Sequence, residues 1–299
     1  MSFTKFRYLI LEFLRENFFK FDLPFMEERR NFFMLKQKKK FINYLNKRFP
    51  NLEISMLEVG SKEGLCYNYQ VLKYLKNFHL EGIEPQKDEA LKTLKSKKYP
   101  YKKIYTEAVS SINGKKTLYI TKSKGCSSLY KPNFNELKKY HEEEGFQIIK
   151  EEKVIVKKLD FLMTRNFDFI NLDIQGSEYD ALKGGNKLLN TCIGLSFECH
   201  LFPLYKNQKL FSDIHNLIKK NFRILRFKTR TYKGILFELS DVSAIKEVSL
   251  ISNKEDLIKN ILYSILWERK EYISVLLANK GNFLSKKERR DIKKILNLS

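Results

Sequence analysis

The stretch Ile54 to Gly64, ISMLEVGSKEG, constrains the fold of this chain more than any other. An apolar run ends in an acid, Glu58, and glycines follow at Gly60 and Gly64. Such a run, closed by a glycine turn, predicts a buried strand. In the next segment Leu65, Tyr69, Leu72 and Leu75 recur at helical spacing. Strand, tight turn and helix in that order form the ligand-binding corner of a doubly wound α/β sheet.

A second acid gives the corner a chemistry. HLEGIEP, residues 79–85, predicts a short strand ending in Glu84, 24 residues after Gly60. At that place in a doubly wound sheet a carboxylate accepts from ribose hydroxyls. A dinucleotide site wants G-x-G-x-x-G, and here Ser61, Lys62 and Glu63 separate the glycines. Glu58 would repel a diphosphate. It suits a cofactor with an amino group, a sulfonium and no phosphate, which describes S-adenosylmethionine.

Further strands follow in α/β order. KIYTEAVSS (103–111) reads as a third strand and INGKKTLYIT as a hairpin arm after an Asn-Gly turn. A polar middle with a charged helix near 134–144 leads to a strand at 153–160. FDFINLDIQGSE (167–178) reads as the fourth main strand and its turn, with Ser177 capping the next helix. IGLSFECH (193–200) is the fifth strand, a helix spans about 206–220, and FRILRFKT and KGILFEL form an antiparallel pair. Asp173 ends the fourth strand, where ligands sit in open α/β sheets. Glu198 and His200 lie two apart and so face one side of the fifth. Glu178 reads as charge compensation at a helix start.

Amphipathic helices are expected over 3–20 and 27–48, and only helices after Asp241. The chain thus divides into an N-terminal cap (1–50), an α/β domain (51–240) and a C-terminal helical extension (241–299). The net charge of +22 is spread over all three parts, so no specific nucleic-acid partner is expected. Cys66, Cys126, Cys192 and Cys199 form no C-x-x-C pair, which predicts free thiols and no zinc site of the usual spacing. Glu12, Arg15 and Glu16 interrupt the only early apolar run, and nowhere do about 18 uncharged apolar residues stand together. The expectation is a cytoplasmic protein without a transmembrane segment, whose basic first helix leaves peripheral membrane contact open.

LEVGSKEG, GIEP, TEAVSS with NGKKTLYI, CSSL, VKKLD with FINLDIQGSEYDALKGG, and LSFECH occur in this order over about residues 54–205. Together they resemble the FkbM-type S-adenosylmethionine-dependent methyltransferases. The resemblance implies a class I (Rossmann-like) fold with a mostly parallel seven-stranded sheet. It also implies methyl transfer, most often to an oxygen of a sugar or secondary metabolite. By position Glu58, Gly60, Ser61 and Gly64 would hold the methionine end, Glu84 with Pro85 the ribose, and Glu107 and Ala108 would border the adenine. Asp173 would lie under the methyl-transfer site. Asn171 and Gln175 stand where the family usually has lysine and glutamate. Gln175 cannot serve as a base or anionic ligand.

A hydroxyl acceptor must lose a proton, and Asp173, Glu198 and His200 are all candidate bases. A divalent metal held by Asp173 and Glu198 is the less favoured alternative. The acceptor, a small molecule or glycan, is expected to meet the polar middle, with Ser127, Ser128, Tyr130 and His141 as candidates by location. Two other classes compete. The altered block allows a degenerate module that binds cofactor without turnover. The charge allows an RNA methyltransferase, although DIQG stands where an N-P-P-Y-type motif would be.

Overall fold

The computed structural model describes residues 23–96, 98–232 and 235–298. The helix expected over 3–20 lies outside them. The second is α1, Leu23–Arg48. Ten strands follow: β1 (Ile54–Val59), β2 (Phe78–Ile83), β3 (Tyr101–Tyr105), β4 (Ala108–Val109), β5 (Gly114–Thr121), β6 (Ile148–Lys157), β7 (Phe169–Leu172), β8 (Gly194–His200), β9 (Phe222–Tyr232) and β10 (Ile235–Lys246). Seven of them form one sheet in the order β3-β2-β1-β7-β8-β10-β9. β1, β2, β3, β7 and β8 run parallel, and β10 is antiparallel to both its neighbours.

Every residue of β1 and of β7 is buried. Central parallel strands are covered on both faces, which is why these segments read as unbroken apolar runs. One face packs against α1 and the C-terminal helices through Phe41, Ile42, Tyr69, Tyr263 and Trp267. The other is filled by residues such as Leu57, Phe167, Leu182, Leu188 and Ile214. From β1 the chain crosses to β2 on one side, while β7 pairs on the other. The crevice beyond the carboxyl ends of β1 and β7 is therefore the switch point where ligands enter such sheets.

Several segments differ from the sequence expectation. The segment after β1 forms two 3-10 stretches, Ser61–Glu63 and Tyr67–Tyr74, in place of an α-helix. The stretch at 103–111 splits: β3 ends at Tyr105, and Ala108–Val109 joins a second sheet of order β4-β6-β5. There Ala108 and Val109 pair with Val156 and Lys157, a long-range partnership that local pattern does not encode. β6 begins at Ile148, because its exposed KEEK run pairs with β5 although it lacks alternation. Ser177 makes no capping bond.

The last strand crosses position 240 and runs to Lys246. Beyond it α2 (Lys254–Leu266), α3 (Lys270–Lys280) and α4 (Lys286–Leu296) share the main core. Asn253 caps α2 by accepting from the Asp256 N–H at 2.8 Å. The Tyr263 hydroxyl donates to the Leu195 carbonyl at 2.7 Å. Among the described residues no helix is long and apolar enough to cross a membrane.

Candidate active site

Val59 leads into Gly60, whose N–H donates to the Ile83 carbonyl at 2.9 Å, while the Asp173 N–H donates to the Val59 carbonyl at 2.9 Å. The first bond ties the turn after β1 to the end of β2, and the second ties the turn after β7 to the end of β1. Gly60 has φ +90°, and a Cβ there would lie 2.0 Å from the Asp173 carbonyl oxygen. Only glycine fits a left-handed turn pressed against another backbone.

Two cavities meet at this junction. The larger, about 410 Å³, is walled by Gly60, Glu84, Pro85, Ala108, Asp173 and Glu198, with Lys124, Ser127, Ser128 and Arg230 toward the polar middle. The smaller, about 290 Å³, is walled by Glu58, Gly60, Gly64, Cys66, Asp173, Glu198 and Asp241, among others. Gly60, Asp173 and Glu198 belong to both.

The expected residues separate into those brought together and those left out. Glu58 is buried and accepts from the Asn171 amide at 2.7 Å. Among the described residues its Oε2 has no hydrogen-bond partner, and burial pushes the carboxyl well above the usual range against the pull of the Asn171 amide and the Cys66 N–H. A buried orphan oxygen on a cavity wall is a place where a ligand donor or a water can bind. Glu84 accepts from the Gln86 N–H at 2.9 Å, and burial raises its carboxyl as well. Ser61 faces neither cavity: it is wholly buried, turned toward the bare Cα of Gly82. Glu107 is also left out. It lies in a separate groove, paired with Lys157 at 2.7 Å, and that bond lowers its carboxyl. The split of the third strand carries Glu107 to the far side of the chain from Ala108.

His200 does not reach the cavities. It is 3% exposed, its Nδ1 bonded to Gln208 Nε2 at 2.6 Å and its Nε2 3.9 Å from Glu238. Burial, and then the Arg230 charge, lower it to about 4, so it is neutral near pH 7. Tyr130 donates to Asp180 at 2.9 Å outside the cavity, and His141 also lies outside it.

Gln175 organises the acids. It sits at φ 52°, and its Nε2 donates to Asp173 Oδ1 at 2.9 Å and to Glu198 Oε2 at 3.0 Å. Ser128 donates to the Gln175 carbonyl at 2.7 Å. Glu178 ties the same turn by accepting from the Ile174 and Gly176 N–H groups at 3.1 and 3.2 Å, and burial lifts it to about 8. Burial, together with the neighbouring Glu238, also raises Glu198. Arg230 lies 3.2 Å from Glu238 and 3.9 Å from Glu198. Arg230 and Asp241 carried no signal in sequence, because both stand on strands beyond the motif block. The two carboxylates weighed as metal ligands, Asp173 and Glu198, are thus bridged by an amide. Among the described residues no three His, Cys, Asp or Glu side chains converge as a metal-binding group.

A family model, the Methyltransferase FkbM domain, matches residues 58–224, more than half of the chain. The chain belongs to this FkbM methyltransferase family. Its sheet is accordingly a class I methyltransferase sheet, with the matched block holding Glu58, Glu84, Asp173 and Glu198. Among solved structures it is similar to the FkbM methyltransferase of Methylobacillus flagellatus KT at 15% identity and a TM-score of 0.39, covering 66% of this chain. The chain spans 46% of that protein's length. It is also similar to the N-terminal domain of EvdMO1, solved with SAH and D-fucose, at 9% identity and a TM-score of 0.34, over 70% of this chain and 82% of that one. No curated protein matches the sequence.

Proposed function

We propose that this FkbM-family protein transfers a methyl group from S-adenosylmethionine to a hydroxyl oxygen of a small molecule or glycan. The observation that carries the reading is the convergence of the Gly60 turn, Glu84 and the Asp173–Glu198 pair on one crevice of two joined cavities. A volume of about 410 Å³ lies within the usual ligand-pocket range of roughly 300–1,000 Å³.

The residues present fit the cofactor. The acid-walled smaller cavity, with Glu58 and its orphan Oε2, suits the ammonium and sulfonium groups of the methionine end, whose carboxylate would turn to the backbone between Gly60 and Gly64. Glu84 would take the ribose hydroxyls, with Pro85 and Ala108 beside the adenine. When bound, the cofactor supplies a methyl group already activated by its sulfonium. The chain then has to hold the acceptor in line and receive its proton. Glu198 Oε2 is engaged by Gln175, and Oε1, 3.9 Å from Arg230, would take the hydroxyl proton. Its raised carboxyl is a better proton acceptor than an ordinary one near neutral pH. Asp173, on the wall of both cavities, would orient the acceptor. Ser128 and Gln175 support the turn that holds it. The four free cysteines fit work in the reducing cytoplasm.

Calorimetry with S-adenosylmethionine tests the donor site. Glu84→Ala should weaken binding about 10- to 100-fold through loss of hydrogen bonds to a charged acceptor. Unchanged affinity would overturn the assignment. With hydroxylated sugars as acceptors, Glu198→Gln should bind the donor and release little S-adenosylhomocysteine; an active variant removes Glu198 as the base.

A further inference from the structure

Asp241 interrupts the ladder of β10. Leu239 pairs with Cys199 and Val242 with Phe197, so Ser240 and Asp241 together oppose Glu198. One residue too many is a β-bulge, a device that re-aims side chains beside active sites. Asp241 adopts φ 48°, a left-handed conformation that side chains disfavour and that Asp tolerates better than most. An outlier of this kind, at a cavity, points to a function.

The bulge sets Asp241 in the wall of the smaller cavity, with Glu58, Asp173 and Glu198. Among the described residues, no Lys, Arg or His lines that cavity. Cys66, on the same wall, feels the combined field. Burial first, then Glu58, Asp241 and Asp173, push its thiol up to about 12. Lys228 of β9 holds the Asp241 carboxylate at 2.7 Å from the outer side, and is itself more than half exposed. Burial already holds Glu58 and Glu198 toward their neutral forms, and a positively charged occupant favours the ionised form of such clustered acids.

We propose that Asp241 is a specificity-determining residue: with Glu58, Asp173 and Glu198 it makes the smaller cavity favour the positively charged methyl donor over its neutral-sulfur product. The inference rests on the donor-site reading above. When the methyl group leaves, the C–S bonding pair stays on sulfur, which loses its charge; the methyl forms a bond to the acceptor oxygen, whose proton goes to the base. The amino and carboxylate groups are the same in donor and product, so the two differ in charge only at sulfur. The acid wall therefore holds the donor by one charge more and releases the spent molecule. With an effective dielectric near 20, and Lys228 sharing the field, Asp241 should contribute about five- to tenfold of this preference.

The test is the affinity of S-adenosylmethionine and of S-adenosylhomocysteine, measured in parallel by calorimetry on the full chain. Asp241→Asn should weaken the donor about five- to tenfold and leave the product within about twofold. Asp241→Gly, which suits the left-handed bulge and carries no charge, should do the same. Equal weakening of both ligands would mean a structural role and overturn the proposal, as would no change in either. If the unmodified protein binds neither ligand, the donor-site reading itself falls, and the inference with it.

Discussion

Replacing Gln175 by glutamate would invert the electrostatics between Asp173 and Glu198 with almost no change in shape. The amide donates to Asp173 Oδ1 at 2.9 Å and to Glu198 Oε2 at 3.0 Å. An ionised carboxylate in its place donates nothing and adds a third negative charge. Hydrogen bonds to charged groups are worth roughly 1.5–3 kcal/mol each. Asp173 is exposed, so about half of that is the better figure here. With the added repulsion, Gln175→Glu should cost about 2–4 kcal/mol at pH 8.

At low pH the new carboxyl holds a proton and can donate one of the two bonds, and the cost falls to about 1 kcal/mol. Repulsion raises the folded-state pKa of this acid cluster above the unfolded value of about 4.3. Its contribution to stability is thus fully present below the unfolded pKa and is lost as pH rises through the folded one. Thermal melts of variant and parent at pH 5 and pH 8 measure this. The gap in Tm should widen by about 3–6 °C at the higher pH. A constant gap, or none, would show that Gln175 does not bridge the carboxylates.

Gly60→Ala should lower stability by about 3 kcal/mol or more, since its Cβ would lie 2.0 Å from a backbone oxygen at φ +90°; a parental urea midpoint would contradict the close packing of the two turns. His200 is lowered to about 4 in the folded protein, against about 6.5 unfolded. Its contribution is therefore present above pH 6.5 and lost as pH falls through 4, amounting to about 3 kcal/mol. His200→Gln should lack this part of the acid slope, and superimposable slopes would acquit His200.

The legible part of the site lay at strand ends. Glu58, Glu84, Asp173 and Glu198 each close an apolar run, and in a parallel sheet the carboxyl ends of such runs share one edge. What local pattern could not supply was which way a residue beside such an end turns. Ser61 goes under its own loop, Glu107 follows a strand that breaks to join a second sheet, and His200 points into a hydrogen bond with Gln208. Each outcome is set by a partner far along the chain. Arg230 and Asp241 were illegible for the same reason. They reach the site from β9 and β10 only because β10 inserts between β8 and β9.

By itself, then, the order of apolar runs, glycine turns and terminal acids determined the α/β class, the FkbM resemblance and the edge of the sheet where a donor would sit. Those features are local, being written in spacings of a few residues. The tertiary structure alone decided that Gln175 bridges two carboxylates and that the helices after Lys246 belong to the core. It also decided that Asp241, taken in sequence as the start of a separate extension, stands in the wall of the smaller cavity. Those facts depend on strand register and on a bulge opposite Glu198, and register is a property of the paired chain segments together.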